Sequence, residues 1–163
     1  MKALVVFYSF NGNTRLIAEA VAKAVDADLL ELKPIKEIAP KGFMKYFCGG
    51  RAVIMNLMPE LYRYNVNIDY YDVLFIGTPV WAWSYAPPLN TFLSTSKIED
   101  KKIALFCCHG GVKGAIFRKM KAMLGNNTFL GEADFKEPLK RNADNNVKKA
   151  VEWSKDIFKD NKL

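Results

Sequence analysis

Ala3-Leu4-Val5-Val6-Phe7-Tyr8-Ser9-Phe10-Asn11-Gly12-Asn13-Thr14 carries an unbroken apolar run into a short polar turn, and a helical pattern opens at Thr14. The continuous apolar run reads as a strand buried on both faces. The turn from Ser9 to Thr14 offers two hydroxyls, two side-chain amides at Asn11 and Asn13, and a glycine permissive of a tight turn. It sits where a strand hands over to a helix N-terminus, whose free backbone N–H groups and positive dipole end attract an anion. The turn holds neither lysine nor arginine. Neutral donors suit a phosphate that is held and not transferred, because transfer chemistry needs cations to neutralise developing charge. The same residue types also serve ordinary capped turns. There is no Walker lysine and no dinucleotide glycine pattern, so this stretch by itself leaves both readings open.

Outward from this turn, apolar runs alternate with helical patterns, which is how a parallel sheet covered on both faces is written. Ala3 to Tyr8 is the first predicted strand, and Thr14 to Val25 the helix after it. In that helix Ile17, Ala20, Val21 and Ala24 share one face, with Arg15, Glu19 and Lys23 four apart on the other. Ala27 to Leu32 is the second strand, closed by Pro34. Val73 to Ile76 is the third, ending at Gly77 and Pro79, and Pro88 to Leu93 can start a helix. Ile103 to Cys108 is the fourth, followed by a helix from Ala115 to Leu124 that Gly125 stops. Thr128 to Phe135 is the fifth, interrupted by Gly131, and a last helix runs from about Asp144 to Phe158 with Val147, Ala150, Val151, Ile157 and Phe158 on its buried side. The expectation is one doubly wound α/β domain over residues 1–163: a five-stranded parallel sheet with helices on both faces, in three layers.

The 163 residues are enough for one domain with its own core, half of them apolar and a quarter charged. No apolar stretch reaches the ~18 residues of a membrane span, and Met1 to Tyr8 lacks a signal-peptide cleavage region, so a cytoplasmic protein is expected. Cys48, Cys107 and Cys108 form an odd set without C-x-x-C spacing, and His109 is the single histidine, which argues against a disulfide scaffold and against a metal centre. Cys107 and Cys108 are adjacent on a strand and therefore point to opposite faces, so they do not read as a redox pair. The net charge of +7 comes from scattered lysines and arginines. Solvated helix faces account for most of them; a basic surface meeting an acidic protein comes next, and nucleic acid last, because the tryptophans and tyrosines do not interleave with the bases as stacking platforms would.

In a doubly wound sheet the ligand sits beyond the carboxyl ends of the strands, where the strand order reverses. Three loops leave those ends. Ser9 to Thr14 offers phosphate donors. Thr78 to Pro88 carries Trp81, Trp83 and Tyr85 between rigid prolines, and His109 to Gly114 offers His109, Gly110 and Gly111, with backbone free to approach a ring. A phosphate at one end and a flat aromatic ring at the other describe a mononucleotide.

On these residues the chain resembles the flavodoxins, and within them the short-chain branch. The typical turn of that family runs Ser or Thr, x, Thr, Gly, x, Thr after the first strand; Ser9, Gly12 and Thr14 match it, and Asn11 replaces the usual threonine. The likeness extends over nearly the whole chain through strand spacing, the Gly77-Thr78-Pro79-Val80-Trp81 stretch and the lack of a long insertion in the fifth strand. The resemblance implies non-covalent FMN, its phosphate on Ser9, Asn11, Gly12, Asn13 and Thr14, with Phe10 of the same turn also against the cofactor, and its ring between Thr78, Pro79, Val80, Trp81, Ala82 and Trp83 on one side and His109, Gly110 and Gly111 on the other. It implies an electron carrier whose FMN cycles between oxidised, semiquinone and hydroquinone states, with no catalytic acid or nucleophile. Its partners would be redox proteins, acidic where they meet this basic chain, and it would be a monomer or weak dimer. The alternative is an FMN-dependent NAD(P)H or quinone reductase of the same fold. A receiver-like signalling domain is disfavoured, since the first strand lacks the acidic cluster that would hold magnesium.

Three departures from the family pattern stand out. Electron-shuttling flavodoxins are acidic and this chain is basic. Their flavin loop often carries a glycine whose peptide turns toward the ring, whereas here the stretch reads Trp81-Ala82-Trp83-Ser84, so positive φ there is expected to be costly. The third loop lacks the tyrosine that commonly stacks on the ring; His109 and the paired glycines resemble loops of FMN-dependent quinone reductases. The apolar stretch Gly42 to Met58 is expected to be a helix covering the sheet, or else a docking or dimer surface, with Cys48 a small core residue. Trp153 is expected to be structural.

Overall fold

In the computed structural model, which describes residues 1–37 and 50–160, the opening apolar run becomes β1 (Ala3–Phe7), an interior strand of the sheet. β1 pairs in parallel with β2 (Asp28–Glu31) on one side and β3 (Val73–Trp81) on the other. β5 (Lys102–His109) and β6 (Thr128–Lys136) extend the sheet beyond β3, also in parallel. A two-residue strand, β4 (Ser84–Tyr85), folds back antiparallel on the end of β3. The resulting order, β2-β1-β3-β5-β6, reverses direction between β1 and β3.

The helices are α1 (Asn13–Val25), α2 (Pro87–Thr95), α3 (Ile116–Leu124) and α4 (Ala143–Asp160). Alternation along each strand splits the core in two. Val5, Phe7, Phe75 and Phe106 face Ile17 and Val21 of α1 and Ala150 of α4, while Leu4, Val6, Ile76 and Leu105 face Leu89 and Phe92 of α2 and Ile116 and Met120 of α3. Each large apolar side chain so buried stabilises the fold by about 1.5–3 kcal/mol. The three-layer α/β arrangement is therefore the expected one, and its helices lie where the apolar faces of the sequence placed them. Cys107 and Cys108 fall in opposite clusters, both buried and free. Trp153 meets Phe75 and Phe106 edge-on at 5.7 and 6.3 Å, a core role.

The main difference from the sequence expectation is β3, which does not end at Ile76 but runs through Gly77 and Pro79 to Trp81. Gly77 belongs in the strand because the Phe106 ring fills the space of a side chain; a Cβ there would stand 2.0 Å from the ring. Pro79 is tolerated because β1 ends opposite Gly77, so a residue without an N–H loses no ladder bond on that side. β6 likewise runs on through Gly131, with a register shift opposite Ile103 and Ala104. Of the stretch from Gly42 to Met58, residues 42–49, Cys48 included, lie outside the described residues. Residues 50–54 are helical with Ala52 buried, whereas Ile54, Met55, Leu57 and Met58 are exposed, so the covering role expected of this stretch is seen at Ala52. No described helix is long and apolar enough to cross a membrane.

Candidate functional site

The strand reversal between β1 and β3 opens a crevice at the carboxyl ends of the strands. A cleft of about 200 Å3 occupies it. Nine of the predicted site residues line this cleft: Phe10, Asn11 and Asn13 from the first loop, Pro79, Val80, Trp81 and Ala82 from the end of β3, and His109 and Gly110 from the end of β5. Ser9, Gly12, Thr14, Thr78, Trp83 and Gly111 stand behind or beside these residues and not on the lining.

At the turn, Ser9 Oγ accepts the backbone N–H of Arg15 at 3.1 Å, and the N–H of Leu16 bonds Gly12 O at 3.0 Å. Gly12, at φ 87°, precedes the first helical residue. The Arg15 bond uses one of the four donors a helix start leaves open, the Leu16 bond being the first of the helix's own; among the described residues the amides of Asn13 and Thr14 have no partner. Thr14 Oγ1 is buried and makes no hydrogen bond. The neighbouring Cys108 thiol is pushed up to about 12 by burial, although donation from the Thr14 hydroxyl acts to lower it; a protonated thiol sulfur is too weak an acceptor to satisfy that hydroxyl. Asn13 Nδ2 donates to Asn11 Oδ1 at 3.1 Å. Arg15 adds no charge to the cradle, because its guanidinium is bonded to Glu31 of β2 at 2.5 Å.

The aromatic side is assembled by packing. Trp81 is half-buried and held edge-on by Phe10 at 5.6 Å and by Tyr8 at 6.0 Å. Tyr8 in turn donates to Glu37 at 3.0 Å; burial, reinforced by that carboxylate, keeps the phenol protonated. Thr78 is wholly buried, and its hydroxyl accepts the Ala86 N–H at 3.1 Å and donates to Pro79 O, so it braces the β3–β4 hairpin from behind. The hairpin tip reverses the expectation about positive φ: Ala82 and Trp83 both adopt it, at 45° and 56°. Trp83 does not line the cleft; it is 65 % exposed and lies against the backbone of Gly114.

The third wall is fixed by Asp134 of β6. One carboxylate oxygen meets His109 Nε2 at 3.0 Å, and the other accepts from Lys113 Nζ at 2.6 Å. Partial burial pushes Asp134 up, but the hydrogen bonds from Lys113 and His109 outweigh it and hold the carboxyl below the ordinary range. An ionised carboxylate only accepts, so Nε2 carries the ring proton at this contact, and Nδ1 is left buried without a partner.

Sequence reasoning missed a fourth contributor. Glu137 and Lys140, from the loop after β6, line the cleft together with Gly50. Glu137 takes positive φ (43°), its N–H bonds His109 O at 2.9 Å, and its carboxylate meets Lys140 at 3.2 Å and Arg141 at 3.3 Å, which lower its pKa. Asn13 Oδ1 accepts the Leu139 N–H at 3.0 Å, so this loop is tied to the turn. The signal lies in the topology and not in the residue types: the loop after the last parallel strand leaves the same edge of the sheet as the other three.

The surroundings of the cleft have counterparts in known proteins. A family model described as Flavodoxin matches residues 2–152. The flavodoxin-like domain-containing protein BilS of Clostridioides difficile (strain CD3) is 28 % identical, over 89 % of this chain and 78 % of its own length. Among solved structures, a flavoprotein from Lactobacillus acidophilus, crystallised in complex with FMN, superposes with a TM-score of 0.73 at 24 % identity, over 86 % of this chain and 97 % of that one. Megasphaera elsdenii flavodoxin gives 0.56 at 18 % identity, over 93 % and 97 %. At these identities the structural likenesses show the fold.

Proposed function

Because the chain belongs to the flavodoxin family, we propose that it binds FMN non-covalently in this cleft and serves as an electron-transfer protein. The observation that carries the proposal is the Thr14 hydroxyl: buried, unpartnered and on the second residue of α1, beside two backbone amides that are also free. An unsatisfied buried polar atom is disfavoured by about 1–3 kcal/mol, and an anionic ligand at a helix N-terminus removes that penalty. The donor set fits a terminal phosphate: Thr14 Oγ1, the Asn13 and Thr14 amides, and the side chains of Asn11 and Asn13 on the lining. Ser9 shapes the turn through Arg15 and is already satisfied by that bond.

Bound FMN supplies reversible electron transfer; the chain's part is to hold, orient and shield it. Trp81, braced by Phe10 and Tyr8, and the backbone from Pro79 to Ala82 form one wall, and His109 and Gly110 another. Under the same proposal residues 1–163 act as one domain, and the partners are redox proteins with acidic surfaces facing a chain of net charge +7. A second reading, an FMN-dependent NAD(P)H or quinone reductase, is favoured by His109, whose ring is oriented by Asp134 and leaves Nδ1 unpartnered beside the cleft.

Titration of purified protein with FMN and with riboflavin tests the cofactor. Thr14→Ala should weaken FMN about tenfold, the value of one lost charge-assisted hydrogen bond, and leave riboflavin unchanged. Equal losses for both ligands would mean the turn holds no phosphate, and failure of the unaltered protein to bind either would sink the flavin proposal. Steady-state assay with NAD(P)H and a quinone separates the two functions: rapid turnover makes the protein a reductase, and negligible turnover supports the carrier.

A further inference from the structure

The hairpin tip holds two adjacent residues in the left-handed region, and neither is glycine, asparagine or aspartate. A two-residue turn between twisted strands demands that geometry, but Ala and Trp resist it, so something outside the turn must hold it. The holder is on the loop after β5. Gly114, itself at φ 60°, approaches Trp83 so closely that a Cβ would stand 2.8 Å from Trp83 Cβ and 3.2 Å from its Cα. This loop is anchored in turn, since Asp134 takes His109 at its start and Lys113 one residue before Gly114. Trp83 is 65 % exposed, so filling the core does not explain its position. Its neighbour Ala82 lines the cleft.

We infer that the Trp83–Gly114 contact is a clamp, in which Trp83 is a positioning residue that holds the Ala82 backbone in its left-handed conformation and joins the hairpin tip to the 109–114 loop as one rigid wall. Trp83 thus acts on the bound ring through Ala82 and Gly114, not by stacking on it. This rests on the proposal that the cleft takes FMN, and it adds a specific consequence: the clamp governs the ring part of the ligand, whereas Thr14 governs the phosphate. A contact that merely packs two loops would not discriminate between ligands, and a glycine at either tip position would then only relieve the turn.

The test uses Gly114→Ala, Trp83→Gly and Trp83→Phe in the full chain, with two readouts. In ligand-free protein, hydrogen exchange at the amides of residues 82–85 should accelerate about tenfold or more in Gly114→Ala and Trp83→Gly, the loss of a protecting contact, and stay near the original rate in Trp83→Phe. In titrations, the first two variants should weaken FMN and riboflavin by the same factor, about tenfold, with Trp83→Phe restoring most of the affinity. Unchanged exchange in both disruptive variants would overturn the clamp whatever the ligand results. Changed exchange with unaltered flavin affinities, or with loss of FMN alone, would overturn its role at the ring. If the unaltered protein binds neither flavin while exchange responds as expected, the clamp stands and the FMN proposal fails.

Discussion

The turn at residues 9–14 and the wall made from residues 81–85 and 109–114 face one cleft, yet they are built by different means. The turn is local: Ser9 caps the amide of Arg15, Gly12 supplies the left-handed residue before the helix, and the donors lie within six consecutive residues. The wall is tertiary. Its tip is strained at Ala82 and Trp83, and what offsets the strain comes from Gly114, Asp134 and the Phe10–Trp81–Tyr8 aromatic contacts, scattered along the chain. A helix terminus presents donors wherever it occurs, so an anion site is cheap to encode; a surface for a flat ring needs rigid elements brought together by the fold. The comparison teaches that the two ends should fail separately, and that only their shared platform can make them fail together.

That platform is β3 where it packs on β5, and it gives the largest expected effect. Gly77→Ala places a methyl 2.0 Å from the Phe106 ring, in a central strand with little room to yield. Overpacking of this kind should destabilise by about 3 kcal/mol, or roughly 10 °C in the thermal midpoint of a domain this size. Affinity for FMN and riboflavin should fall together. A midpoint within about 2 °C of the original would show that the strand can shift and that the two ends do not depend on it.

The next effect belongs to the wall alone. Asp134→Asn keeps a hydrogen-bond acceptor but removes the charge that Lys113 and His109 share. Because the carboxylate is about a third exposed, the loss should be modest, about 1 kcal/mol. Its pH dependence has a definite sign. The folded pKa of Asp134 is depressed, so its contribution is fully present above the unfolded value near ~4 and is lost as pH falls through the folded one. Lys113 is raised, chiefly by its hydrogen bond to Asp134, so its contribution is present below the unfolded value near ~10.4 and is lost as pH rises through the folded one. Urea midpoints of the two proteins should therefore differ by a constant amount from about pH 5 to pH 10 and converge on either side. A difference that persists undiminished at pH 3 would mean the pair is not what holds the loop.

The same contrast explains what the sequence disclosed. The phosphate-like turn was legible because its donors, its glycine and its cap lie within one strand-to-helix connection, and the sheet was legible because parallel strands buried on both faces spell continuous apolar runs. The end of β3 was not: Gly77 and Pro79 read as a stop, and only the Phe106 ring and the early end of β1 make them strand residues. Trp83 read as a stacking ring because nothing local reveals Gly114 beneath it. Ala82 and Trp83 at positive φ contradict local propensity outright, which is the pattern expected where tertiary contacts outweigh it. Glu137 and Lys140 were not legible because charged residues in a loop read as solvated, and only the fold brings the loop after β6 to the same edge as the other parallel strand ends.

The smallest expected effect bears on why the turn is neutral. Arg15 directly follows Thr14, yet its guanidinium is drawn to Glu31 on the neighbouring strand at 2.5 Å, with Lys33 also near that carboxylate at 3.8 Å. If the cradle is neutral because this cation is diverted, Glu31→Gln should free Arg15 to turn toward the phosphate. The exposed pair itself is worth only about 0.5 kcal/mol, so stability should barely change. FMN affinity should rise about twofold at low salt, riboflavin affinity should not move, and the gain should vanish near 0.5 M salt, where the screening length is only about 4 Å. A gain shared by riboflavin would place the effect in the wall, and no gain at any salt would show that the neutral donors of the turn, not the diversion of Arg15, set the strength of the phosphate end.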